Sequence, residues 1–133
     1  MTYFFDRNFG KKLPMALALL GLEVEWYAKH FGERRETLDD DWLELCGHQN
    51  WIVIAHDLGF RRRSVEMEAI IQYKVGCFIL GASQEKNWEK VRLLARTWDS
   101  IEERCRTQSL PFMFQINADG TFRQRYPFIP DLS

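Results

Sequence analysis

The sequence predicts an α/β fold: a three-layer α/β/α domain with a mostly parallel central sheet and a C-terminal hairpin. Three observations lead there. Short apolar runs recur as "YFF" (3–5), "WIVIAHD" (51–57) and "VGCFIL" (75–80), and such continuous runs suit parallel strands buried on both faces. Segments with apolar residues at helical spacing separate them, and this alternation implies right-handed βαβ crossovers. The end of the chain, "FMFQINADGTFRQRY", reads as two strands around a turn at 117–120.

The elements follow in order. The aromatic run 3–5 is the first strand. Leu13, Leu17 and Leu20 recur at helical spacing, with Pro14 tolerable in a first turn and Gly21 as a stop. "VEWY" (24–27) alternates as a second strand. The polar stretch 33–41, "ERRETLDDD", is a connection whose end supplies N-cap residues for a helix over Trp42, Leu43, Leu45 and Cys46. After the buried strand 51–57, "RRRSVEMEAIIQ" (61–72) reads as a helix and 75–80 as another strand. A long helix runs from Gln84 to Arg106, with Trp88, Val91, Ala95, Trp98, Ile101 and Cys105 on one face. All five tryptophans are assigned to core packing rather than to base stacking.

A chain of 133 residues fits one domain, 1–133, with a genuine core. A hydrophobic content of 46% with 28% charged residues argues against disorder. The formal net charge of −1 gives no global attraction to nucleic acid and leaves a local basic patch as the means of binding it. Cys46, Cys77 and Cys105 are odd in number and widely spaced, so they form neither a zinc motif nor a disulfide framework. "KKLPMALALLGL" imitates the start of a signal peptide, but it follows a strand, contains Pro14, lacks a small-residue cleavage site and is too short to cross a bilayer. The expectation is a cytoplasmic protein with no membrane segment.

In an open parallel sheet, ligands bind beyond the carboxyl ends of the strands. Asp6 follows the first strand there, and Asp57 closes "WIVIAHD". Asp39, Asp40 and Asp41 open a helix that starts near the same edge. Carboxylates converging in this way repel one another unless a cation neutralises them. Oxygen ligands without a histidine or thiolate cluster favour Mg2+ or Mn2+, and such ions suit phosphodiester hydrolysis. Each residue also has a local reading. Asp at a strand end forms turns, and Asp39 and Asp40 complement a helix dipole. Arg61, Arg62 and Arg63 are either a solvated face or phosphate contacts beside the site. Asn8 either caps the first helix or faces the ligand. His56 points to the opposite face of the strand from Asp57, which speaks against it as a general base. A phosphatase reading is weaker, because residue 8 is Asn and no D-x-D pair follows the first strand.

"FFDRNFGKKL", "DDDWLELCGHQNWIVIAHD" and "RRR" together resemble the PIN-like domains of VapC-type toxins, close to the Mut7-C-like branch of that superfamily. The resemblance covers most of the chain. It implies a Mg2+- or Mn2+-dependent endoribonuclease, the toxin of a VapBC-like type II toxin–antitoxin system, held by a cognate antitoxin and associating as a homodimer. By position it implies that Asp6, Asp39 and Asp57 are catalytic metal ligands, with Asp40 as the rival of Asp39. Arg61, Arg62, Arg63 and Asn8 are then the RNA-facing residues. Glu66 and Glu68 are candidates for a fourth acidic position. The chain departs from the family in carrying Ala55 where Thr or Ser is frequent. A non-catalytic PIN-like module that binds RNA or protein is the alternative.

Overall fold

Side-chain alternation along the first strand sets the layering. In a computed structural model, which describes residues 1–32, 39–56, 64–81 and 86–127 (without the side chains of 39, 40 and 64–66), β1 (Tyr3–Phe5) is buried throughout. Tyr3 and Phe5 enter one core and Phe4 the other, as the two-residue period of a strand requires. A short 3-10 turn (Arg7–Phe9) leads into α1 (Lys12–Leu19), β2 (Val24–Trp26) and α2 (Tyr27–Phe31). Then come α3 (Asp39–Gln49), β3 (Ile52–His56), α4 (Ser64–Tyr73), β4 (Gly76–Leu80), α5 (Asn87–Thr107), β5 (Phe112–Ile116) and β6 (Phe122–Tyr126).

The six strands form one sheet in the order β2-β1-β3-β4-β5-β6. The first five are parallel to their neighbours, and only the β5–β6 hairpin is antiparallel. On one face, Leu13 and Leu17 of α1 and Leu93, Leu94 and Ile101 of α5 pack on Phe5, Ile54, Phe78 and Leu80. On the other, Tyr27, Trp42, Leu43, Cys46 and Ile70 from α2, α3 and α4 pack on Phe4, Val53, Cys77 and Ile79. This is the expected α/β/α layering. Phe4 is stacked by two indoles, Trp42 at 5.6 Å and Trp51 at 6.0 Å between ring centroids. Cys46 and Cys77 are core residues as expected, and burial pushes the Cys46 thiol well above its ordinary range.

Three local expectations are corrected. Tyr27 begins α2 rather than ending β2. Leu20 is 78% exposed, because α1 ends at Leu19 and the chain turns through Gly21; Leu22 packs against that core instead. Trp88 is not a core residue but 68% exposed. The buried stripe of α5 is Lys90, Leu93, Leu94, Thr97 and Ile101, and Trp88 lies roughly 200° around the helix from Lys90. Among the described residues, no helix is long and apolar enough to cross a membrane.

Candidate functional site

Asp6 stands at the carboxyl edge of the sheet, one residue past β1, and is only 3% exposed. Its backbone continues the ladder for one more bond, the Asp6 amide donating to the Ile54 carbonyl at 3.2 Å. Its own carbonyl then leaves the sheet direction and accepts from the Phe9 amide, closing the 3-10 turn. The next donor on β3, the His56 amide, therefore meets the side chain: it donates to Asp6 Oδ2 at 3.0 Å. Oδ1 accepts the Asn8 amide at 3.0 Å, so Asp6 caps the 3-10 turn. One carboxylate thus ties the ends of two adjacent parallel strands together. Since the sequence carries Asp57 directly after His56, Asp6 grips the backbone next to the second acidic candidate.

Three further groups surround Asp6. Phe9 is buried and meets His56 edge-on, with 5.4 Å between ring centroids. His56 is itself 2% exposed and the last residue of β3. From the other layer boundary, α5 contributes Lys90, which is 7% exposed, with its ammonium 5.7 Å from the centroid of the Phe9 ring. Burial lowers the pKa of Lys90 below the ordinary lysine range, while the negative charge of Asp6 pulls in the opposite direction. The edge therefore holds a buried carboxylate and a largely buried lysine whose charges are close enough to feel each other, with the ammonium over the Phe9 ring.

The other predicted residues divide by what the structure describes. Asp39 and Asp40 are the first two residues of α3, as expected for an acidic helix start, but their side chains lie outside the described residues. Asp57, Arg61, Arg62 and Arg63 lie outside them entirely, as does the Glu66 side chain. Asn8 is exposed and does not cap α1: the N-cap position there is Lys11, without a side-chain bond, and the capping role falls to Asp6. Glu68 is exposed on α4. Among the described residues no three His, Cys, Asp or Glu side chains gather as a metal cage.

The donor chemistry at Asp6 fits a hard cation. A carboxylate offers about four lone-pair positions, and the two amide bonds occupy one on each oxygen. Carboxylate oxygens are donors of the kind Mg2+ and Mn2+ take.

Lys90 is the residue that sequence reasoning missed. The predicted α5 stripe ran through Trp88, Val91 and Ala95, which left position 90 on the solvent side. A signal was present: Lys90 is four residues before Leu94 and seven before Thr97, so a stripe phased on the leucine pair 93–94 would have included it.

No curated protein and no solved structure matches the chain. The profile of the family described as "PIN like domain" matches residues 1–82, from the first strand through β4 and including Asp6, α3 and β3. That segment holds four of the five parallel strands and every acidic position discussed above. PIN domains are generally nucleases, and the nuclease-type fold accords with a buried carboxylate at the carboxyl edge of the sheet. The chain belongs to the PIN-like domain family.

Proposed function

We propose that this protein is a metal-dependent endoribonuclease in which Asp6, Asp39 and Asp57 hold Mg2+ or Mn2+, with Asp40 as the alternative to Asp39. The observation that carries the reading is Asp6: a carboxylate 3% exposed at the ligand-binding edge, held by two backbone amides beside the second acidic strand end. A bound divalent ion would polarise the scissile phosphate and lower the pKa of a coordinated water. The protein's own part is to fix the donors. The amide bonds to Asp6 hold its carboxylate in one orientation, and the buried walls of Phe9 and His56 restrict water around it. Arg61, Arg62, Arg63 and Asn8 are assigned to the RNA backbone, where guanidinium groups suit phosphate oxygens.

The finer role is the toxin of a VapBC-like type II system in the cytoplasm, bound by a cognate antitoxin and acting as a homodimer. Support for a protein partner comes from α1 and its end, where Met15, Leu19 and Leu20 are exposed at 45%, 89% and 78%. A second reading, a non-catalytic RNA- or protein-binding module, is favoured by the same two amide bonds, since a purely structural aspartate would make them too.

Calorimetric titration of Mn2+ into the wild type, Asp6→Asn and Asp57→Asn separates the two. The metallonuclease reading expects binding by the wild type, weakened roughly tenfold or more in each variant, and RNA cleavage that EDTA abolishes. Asp57→Asn matters because Asp6→Asn also loses an amide acceptor and is expected to cost about 1–3 kcal/mol of stability. Absence of Mn2+ binding in the wild type, with RNA binding that survives EDTA, would establish the module instead.

A further inference from the structure

We propose that Lys90 is a phosphate-contacting residue of this site, its ammonium donating to the oxygens of an RNA phosphodiester beside Asp6; the proposal rests on the nucleic-acid reading above. Three observations carry it. First, Lys90 is more than nine-tenths buried, and lysine is almost never buried to this degree unless paired. Second, among the described residues its ammonium makes no ion pair or hydrogen bond: its neighbours are the Phe9 ring at 5.7 Å and the charge of Asp6 beyond contact distance. The stem is thus buried while the three N–H donors of the ammonium, with no acceptor among the described residues, remain open to a ligand at the edge of the sheet. Third, the location is the edge where the sheet binds ligands, reached from α5, whose N-terminus adds the positive end of a 21-residue helix dipole.

The chemistry selects the ligand. An ammonium beside a carboxylate that would hold a divalent cation suits a polyoxygen anion, and a phosphodiester offers non-bridging oxygens to which the ammonium can donate. A structural lysine would instead be expected to reach Asp6 directly, forming the buried pair that repays part of the desolvation of both groups. Holding the ammonium on the Phe9 ring face keeps it from doing so, since the ring supplies a cation–π contact without neutralising the charge.

The test measures anisotropy of a fluorescent single-stranded oligouridylate across salt from about 50 to 200 mM, with the strand verified intact after each titration. The proteins are the wild type, Lys90→Met, Lys90→Arg and, as a control at the opposite edge of the sheet, Lys74→Met. The proposal expects Lys90→Met to bind about three- to tenfold more weakly and to lower the magnitude of the salt slope by about 0.7, the loss of one phosphate contact on a single strand. Lys90→Arg should keep most of the slope, and Lys74→Met all of it. Melting temperatures establish that each variant is folded; should Lys90→Met fail to fold, Lys90→Gln gives the same reading. Wild-type affinity and slope in the folded neutral variant would overturn the role of Lys90 while leaving the ribonuclease reading intact. Failure of the wild type itself to bind the strand would overturn both.

Discussion

Asp6 shows how one side chain serves fold and site together. Its two amide bonds come from groups the backbone left unsatisfied: the His56 donor beyond the end of β1, and the Asn8 donor in the first turn after it. That an aspartate follows the first strand was legible in "YFFD", because a charge after an aromatic run must leave the core or find partners within it. Which partners it finds was not legible, since His56 is 50 residues away. Glu25 offers a cleaner electrostatic case. Burial alone would raise its pKa, but Lys29 at 2.9 Å and His30 at 2.9 Å outweigh burial and bring it below the ordinary glutamate value. A carboxyl with a depressed folded pKa stabilises the fold above its unfolded pKa, and that contribution is lost as pH falls through the folded value. Glu25→Gln should therefore cost about 0.5–1 kcal/mol near neutral pH, and the difference from wild type should vanish in acid well below the ordinary glutamate range. Urea midpoints at the two pH values check this, and a difference that persists in acid would refute it.

At the scale of elements, the helices are placed by close approach as much as by apolar stripes. Gly47, inside α3, faces α4 so tightly that an added Cβ would stand 2.5 Å from the Tyr73 carbonyl oxygen and 2.8 Å from the Tyr73 Cβ. Backbone cannot yield there as a side-chain tip can. Gly47→Ala should destabilise the chain by about 1–3 kcal/mol despite alanine's better helix propensity, measured as a lower urea midpoint at unchanged slope. A neutral or stabilising effect would show that α3 and α4 can separate at little cost. The glycine in "LCGHQ" reads in sequence as a weak helix position, and only the α3–α4 contact gives it a purpose. The same applies to α5. Its helical character was plain from Trp88 to Cys105, but the stripe was phased on the large aromatics, whereas the sheet selected Leu93, Leu94 and Ile101 and turned Trp88 to solvent.

Across the whole molecule, a single sheet divides two cores, and Phe78 in the central strand β4 lies at the middle of the larger aromatic group. It is fully buried and meets Phe112 at 5.5 Å, Phe114 at 5.9 Å and Phe122 at 6.2 Å, so it links the parallel strands to the terminal hairpin. Phe78→Ala should cost about 3–5 kcal/mol, enough to remove a large part of a typical domain's stability. Denaturant unfolding followed by tryptophan fluorescence and far-ultraviolet circular dichroism would measure it. A loss below about 1 kcal/mol would mean that the β5–β6 hairpin is not integrated with the parallel sheet through this residue.

The sequence by itself determined the fold class, the alternation of strands and helices, and the position of an aspartate at the first strand's carboxyl end. These are local properties: continuous apolar runs mark strands covered on both faces, and apolar spacing marks helices. Only the tertiary structure decided the strand order, the amide partners of Asp6, the burial of Lys90 and the exposure of Trp88. Each depends on which segments, distant in the chain, come to lie side by side. A helix of known pattern can still rotate about its axis, and the volume available against the sheet selects the rotation. In α5 that choice carried a lysine to the edge where Asp6 stands, and so decided which charges meet at the candidate site.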